Sequence, residues 1–240
     1  MKDLVSIVIP LYNHSETIRY CLETAVMQSY DQPIEIIVIN DGSTDNSLEV
    51  VEQSLKDNPD WKQYIIKVIS QENKGAPAAR NFGAKEASGE FIIFIDADTV
   101  CYPKMIAEMR RALEKNTAAS FAYSQFRYGA KKIQSHEFDK HLLQKINYID
   151  TTSLIRRADF SGFDEALKRF QDWDLWLTMT EQNKIGVFVE EVLFRKKLSR
   201  THKGMSSWLP SFVYKLPWKI QRVKDYETAK NIVLIKHGLR

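Results

Sequence analysis

Phe91-Ile92-Ile93-Phe94-Ile95-Asp96-Ala97-Asp98-Thr99 carries five uninterrupted apolar residues into two carboxylates one residue apart. A strand that is apolar on both faces belongs at the buried centre of a parallel sheet. Ligands of such sheets collect beyond the carboxyl ends of the strands, where this run delivers Asp96 and Asp98. Carboxylate oxygens suit a hard divalent cation, Mg²⁺ or Mn²⁺, which in turn can hold a diphosphate. On residue type alone the pair fits equally well a turn ahead of Tyr102-Pro103, since Asp favours turns and caps.

Three strand-helix units precede this run. Leu4 to Ile9 reads as a first strand, with Asn13 and Ser15 as candidate caps and Ile18, Leu22 and Ala25 at helical spacing. Ile34 to Ile39 reads as a second buried strand ending at Asn40-Asp41-Gly42-Ser43, followed by a helix with a Leu48, Val51, Leu55 stripe. Tyr64 to Ile69 is the third strand, and Asn73-Lys74-Gly75 turns into a helix whose Pro77 suits its first turn. Ala78, Ala79, Gly83 and Ala84 carry so little side chain that this helix can lie close on the sheet. Right-handed crossovers then give an α/β fold, a mostly parallel central sheet flanked by helices.

Beyond Pro103 the pattern predicts a helix to Glu114, a strand near Ser120 to Phe126, a loop over 127–147, and a strand over Tyr148 to Ile155. A Trp-rich helix over Gln171 to Thr180, closing strands over Val187 to Leu198 and terminal helices complete the reading. The 240 residues, 44% hydrophobic and 27% charged, fit one globular core with an appendage. Leu4 to Leu11 is too short to span a membrane and lacks signal-peptide flanks, so the expected location is the cytoplasm. Cys21 and Cys101 form neither a disulfide framework nor a zinc motif. The net charge of +3 is uneven, because Arg195 to Arg240 holds 12 Lys and Arg against Asp225 and Glu227. Such a basic end suits an anionic polymer or membrane surface, or is simply a solvated helix face.

Val5-Ser6-Ile7-Val8-Ile9-Pro10-Leu11-Tyr12-Asn13, Asn40-Asp41-Gly42-Ser43-Thr44-Asp45, Asn73-Lys74-Gly75 through Arg80-Asn81, and Asp96-Ala97-Asp98 stand in this order at successive strand ends. In order and spacing they closely resemble the family 2 glycosyltransferases with the GT-A fold, over about residues 4 to 207. The resemblance implies a GT-A domain over 1–207, with a nucleotide-binding half at 1–100 and an acceptor-binding half at 101–207. It leaves 208–240 as a basic, aromatic-rich helical extension.

The resemblance also implies roles. Pro10, Tyr12, Asn13 and Asp41 would hold the base, Arg80 would lie against the nucleotide, Asp96 would meet the ribose and Asp98 the Mn²⁺ or Mg²⁺. Asp41 suits a base imide N–H and so a UDP-sugar, while its local alternative is an Asx-turn or helix cap. For Arg80 the local alternative is a surface salt bridge. Phe170-Gln171-Asp172-Trp173-Asp174-Leu175-Trp176 resembles the family's acidic base motif, with Gln171 where the usual form has Glu. Asp172 would then be the general base of an inverting transfer, or else cap a helix whose Trp173 and Trp176 form core and sugar-facing wall. Arg200-Thr201-His202-Lys203-Gly204 resembles the loop from which a His reaches the metal or diphosphate.

The implied partners are a nucleotide-diphospho-sugar donor and a glycan or lipid-linked acceptor, with no role for nucleic acid. Trp208, Phe212, Tyr214 and Trp218 interleave with Lys215 and Lys219, as in segments that dock at the inner face of an anionic membrane. Two other classes fit less well: a nucleotide-sugar-binding subunit that has lost chemistry, suggested by Gln171, and a nucleotidyltransferase, which leaves the Asp172 motif unexplained. A dinucleotide-dependent dehydrogenase is disfavoured because no G-x-G-x-x-G follows the first strand.

Overall fold

A computed structural model describes residues 3–197 and 221–240. Its first half is the expected alternation: β1 (Val5–Leu11), α1 (Ile18–Val26), β2 (Ile34–Asp41), α2 (Ser47–Asp57), β3 (Ile65–Gln71), α3 (Ala76–Glu86) and β4 (Phe91–Phe94). There follow β5 (Thr99–Cys101), α4 (Met105–Lys115), β6 (Ala119–Tyr128), β7 (Lys131–Ile133), α5 (Lys140–Leu143) and β8 (Leu154–Arg156). The chain continues through α6 (Gln171–Glu181), β9 (Ile185–Lys196) and α7 (Gln221–Lys236). The strands form one sheet in the order β3-β2-β1-β4-β8-β6-β9-β5, with β7 against β6.

The long ladders are parallel. β2 pairs β1 and β3 in parallel, β1 pairs β4, and β6 pairs β9 through three register shifts. The short strands β8, β5 and β7 are antiparallel insertions. Both faces are buried. Val5, Ile7, Ile9 and Ile93 pack towards Ile18, Leu22, Met109 and Leu113 on one side, while Val8, Ile37, Ile39, Ile92 and Phe94 pack towards Ala79, Trp176 and Val233 on the other. Each such side chain, fully removed from water, contributes roughly 1.5–3 kcal/mol, so the strand ends are held on a rigid floor. The close approach of α3 holds: a Cβ on Gly83 would stand 2.3 Å from Val8 Cγ1.

Several boundaries differ from expectation. α1 begins at Ile18 behind Thr17, and Asn13 does not cap it. Asn13 sits at φ +55 and turns its side chain to the β2–α2 loop instead. Residues expected to be loop include β7 and the four-residue α5, which is capped by Asp139. The strand expected over Tyr148 to Ile155 shrinks to β8, because Asp150 draws the preceding residues into a turn by accepting from Thr152 N at 2.9 Å. β5 was also not legible: three residues become a strand only through pairing with β9. His202 and residues 208–220 lie outside the described residues.

Candidate active site

The Asp-x-Asp run forms a turn at the end of β4. β4 stops at Phe94, Ile95 N still donates to Val8 O at 2.9 Å, and Thr99 N closes a turn on Asp96 O at 2.8 Å. β5 then pairs antiparallel with the end of β9, setting Thr99 opposite Lys196, and Lys197 N donates to Asp98 O at 2.8 Å. Both carboxylates are thereby fixed at the carboxyl edge beside β1.

Asp96 is fully engaged. Arg80 Nη2 donates to Oδ1 at 2.6 Å and Lys196 Nζ to Oδ2 at 3.0 Å. Burial works to raise its carboxyl, but the two cations outweigh burial and hold it well below the usual range. Asp98 is the opposite case. Its Oδ1 is buried and has no hydrogen-bond partner among the described residues, and burial with the Asp96 and Asp150 charges pushes its carboxyl up. A buried carboxylate oxygen without a donor asks for a proton or a cation. The residues present therefore fit a divalent ion on Asp98, which needs only one protein carboxylate when diphosphate and water complete its shell. No group of three or more His, Cys, Asp or Glu side chains converges as a self-sufficient metal cage among the described residues.

Arg80 is not a surface ion pair. It is 6% exposed, and Nη1 donates to Gln171 Oε1 at 2.9 Å while the guanidinium lies 5.3 Å from the Phe163 ring centre. Gln171 in turn donates to Leu167 O at 2.9 Å. The neutral amide thus serves as both acceptor and donor, a pair of tasks that a carboxylate could not perform.

Asp172 is the second residue of α6, which Gln171 opens after Phe170, whose left-handed φ of +59 turns the chain into the helix. Its Oδ1 accepts from Trp173 N and its Oδ2 from Asn147 Nδ2, both at 2.9 Å. Burial first, then the Asp150 charge, raises its carboxyl above the usual range, which is the direction a general base working near neutrality needs. Trp173 and Trp176 are core rather than a sugar-facing wall: their indole N–H groups donate to Leu143 O at 2.6 Å and Ile149 O at 3.0 Å. Asp174 reaches away from Asp172 to Lys236 and His237, tying α7 to α6.

On the base side the expected residues divide. Tyr12 is 43% exposed at the end of β1, whereas Pro10 is buried within it. Asn13 Oδ1 accepts from Thr44 N at 2.7 Å and Asp45 N at 3.2 Å, so it braces the loop that follows β2. Asp41 braces the turn that leads into α3. Oδ1 accepts from Gln71 Nε2 at 2.7 Å and Lys74 N at 2.9 Å, and Oδ2 from Gly75 N at 2.8 Å. Gly75, at φ +90, has no side chain with which to cap α3 itself. Asp41 Oδ2 retains room for another donor.

Sequence reasoning missed three participants. Lys196 donates to Asp150 Oδ2 at 2.8 Å as well as to Asp96, Asp150 reaches the Asp98 and Asp172 charges, and Asn147 holds Asp172. For Lys196 the only signal was a cation ending an otherwise half-buried closing strand. Asn147 lies where the pattern had no period, and Asp150 inside the strand expected over Tyr148 to Ile155.

The model of the family described as Glycosyl transferase family 2 matches residues 6–170. The uncharacterized glycosyltransferase YibD of Escherichia coli K12 is 40% identical over 111 residues, which are 46% of this chain and 30% of that protein. Across the first sequence relatives the chain spans 30–38% of their length. Staphylococcus aureus TarS in complex with UDP-GlcNAc superposes with TM-score 0.70 at 18% identity, over 99% of this chain and 72% of that one. The mannosyltransferase PcManGT of Pyrobaculum calidifontis, in complex with GDP-Man and Mn²⁺, gives TM-score 0.65 at 15% identity, over 99% and 71%. At these identities the structural likeness is one of fold, the GT-A fold.

Proposed function

Since the chain belongs to glycosyl transferase family 2, we propose that it moves a sugar from a UDP-sugar to a hydroxyl of a saccharide or lipid-linked acceptor, with inversion at the anomeric carbon. One observation carries this reading: Asp98, with its unpartnered oxygen, and Asp172, with its raised carboxyl, face the same Lys196–Asp150 pair. A cation-seeking carboxylate and a base-like carboxylate therefore share one crevice.

In this reading residues 1–100 hold the nucleotide and 101–207 the acceptor. Tyr12 offers an exposed ring for the base to stack on, and Asp41 Oδ2 accepts from the base imide N–H. Pro10 and Asn13 shape that end from within β1 and the braced loop. Arg80 orients Asp96, which accepts from the ribose. Asp98, with His202 from the segment beyond the described residues, would hold Mn²⁺ or Mg²⁺, which neutralises diphosphate charge when bound. Asp172 takes the proton of the acceptor hydroxyl as that oxygen forms its bond to the anomeric carbon. The bond from that carbon to the diphosphate breaks on the opposite face, and UDP leaves with the electron pair.

UDP in TarS and GDP in PcManGT leave the base to experiment. Calorimetry with UDP and GDP, each with and without Mn²⁺, is expected to favour UDP with Mn²⁺, and Asp98→Ala should abolish the metal dependence. Asp172→Asn should bind donor normally and lose transfer by about 10²–10⁴-fold. Retained turnover in that variant removes Asp172 as the base. No helix among the described residues is long and apolar enough to cross a membrane. The basic segment 208–240 is proposed to contact the anionic inner face, where a lipid-linked acceptor would present itself. Equal flotation with neutral and anionic liposomes would count against that contact.

A further inference from the structure

We propose that Lys196 is a positioning residue for the donor-site cation: by engaging Asp96 and Asp150 together it withholds both carboxylates from the ion and leaves it Asp98. The inference rests on the proposed metal-assisted reading of the same crevice.

Four carboxylates, Asp96, Asp98, Asp150 and Asp172, meet two cations, Arg80 and Lys196. A divalent ion entering so acidic a place would bridge whichever oxygens are free. Each oxygen of Asp96 already faces a cation, Arg80 on Oδ1 and Lys196 on Oδ2, which leaves it able to accept from a hydroxyl but disfavours a further cation. Asp150 gives Oδ2 to Lys196 at 2.8 Å and Oδ1 to Thr152 N at 2.9 Å. Asp172 accepts from Trp173 N and Asn147 on its two oxygens. Only Asp98, of the four, keeps a buried oxygen with no partner.

Lys196 is built into this position rather than resting on it. Its side chain is 13% exposed, its backbone lies between Thr99 of β5 and Tyr128 of β6, and its ammonium stands 5.8 Å from the Phe126 ring centre. Sheet register therefore places the ammonium in the crevice. The flexible four-carbon stem ends in a compact charge that can serve two carboxylates at once. Asp150 belongs to the same turn region as Asn147, so Lys196 also ties the donor side to the segment that holds the base.

Removing the charge makes a prediction of unusual sign. Lys196→Met should bind Mn²⁺ alone more tightly than the wild type, by about ten-fold for one neighbouring unit charge at a partly screened site. A lysine acting on Asp98 only through its charge would give the same tightening without rescuing Asp98→Asn, so the double variant separates the two. Lys196→Arg should stay within about two-fold of the wild type, because it keeps the charge. Asp150→Asn should weaken Mn²⁺ binding, since Lys196 is released towards Asp98. The ion should also become misplaced: Asp98→Asn abolishes Mn²⁺ binding, and adding Lys196→Met to it restores binding on the freed Asp96 and Asp150.

The experiment is Mn²⁺ titration of the full chain with and without UDP, read by the electron paramagnetic resonance of the free ion against a protein-free UDP control, with circular dichroism to confirm folding. Tighter binding in Lys196→Met together with rescue in the double variant supports the proposal. Unchanged or weaker binding in folded Lys196→Met, or no rescue, overturns it. Should Lys196→Met not fold, Asp150→Asn decides, and binding equal to or tighter than wild type overturns it. A wild type that takes up no Mn²⁺, or an Asp98→Asn variant of unchanged affinity, overturns the metal reading itself and the inference with it.

Discussion

Replacing Arg80 by Met asks whether the donor-side carboxylate is held by a structural ion pair. The guanidinium is 6% exposed and donates to Asp96 at 2.6 Å and Gln171 at 2.9 Å. Met fills much of the same space against Phe163 but supplies no donor. Stripping one partner from a buried ion pair costs about 3–5 kcal/mol. Lys196 still reaches Asp96 at 3.0 Å, which points to the low end of that range. The orphaned Gln171 oxygen adds about 1 kcal/mol. A loss near 3–4 kcal/mol corresponds to a fall in Tm of roughly 6–16 °C for a chain of this size. Because Arg80 is buried and Asp96 is only 27% exposed, the fall should shrink little between 0.1 M and 1 M salt, where a fully exposed pair would be screened. Arg80→Lys, which can satisfy Asp96 but not both partners, should recover about half. The assay is thermal unfolding followed by circular dichroism, with UDP calorimetry at a temperature where both variants are folded. A fall under about 2 °C, or one that vanishes in high salt, would return Arg80 to the class of surface ion pairs and leave Asp96 positioned by Lys196 alone.

Two further perturbations probe the frame and the base. Glu35 is wholly buried on β2 and accepts from Ser6 Oγ, Ser88 N and Oγ, and Gly89 N. Burial works to raise its carboxyl, yet these donors and Lys67 hold it below the usual range. A depressed carboxyl stabilises the fold above its unfolded pKa of about 4.3 and loses that effect as pH falls. Glu35→Gln should therefore cost about 2–4 kcal/mol at pH 7 and progressively less below about pH 4. Urea melts at pH 7 and pH 3.5 measure this, and a gap that stays constant contradicts the hydrogen-bonded carboxylate. Gln171→Glu restores the family's usual acidic neighbour, loses the donor to Leu167 O, and adds a charge beside Asp172. Since burial and Asp150 already raise Asp172, the acid limb of kcat/KM should move up by about half to one pH unit. An unmoved limb would separate that limb from Asp172.

The parts of the fold legible in the sequence were those whose cause is local. Apolar runs buried on both faces marked β1, β2 and β4, and the small residues around Gly83 marked the close approach of α3. Asp96, Asp98 and Asp172 were found because a strand end or a helix start delivers them whatever surrounds them. Lys196, Asp150 and Asn147 were not, because their importance is set by partners far away in the chain: Lys196 meets Asp96 across 100 residues, and Asn147 meets Asp172 across 25. Local reasoning also gave Arg80 and Asp41 two readings each, and their actual partners lie in distant parts of the chain. Arg80 is buried between Gln171 and Asp96, and Asp41 accepts from the two N–H groups just ahead of α3. The departure at Gln171 follows the same logic. Read alone it removes a charge from an acidic motif. Joined to Arg80 on one side and Leu167 on the other, it becomes a neutral link between α3 and α6 that leaves the Arg80 charge committed to Asp96. Loss of the acidic neighbour is therefore no sign of lost chemistry, because the amide keeps the frame and spares Asp172 a further like charge.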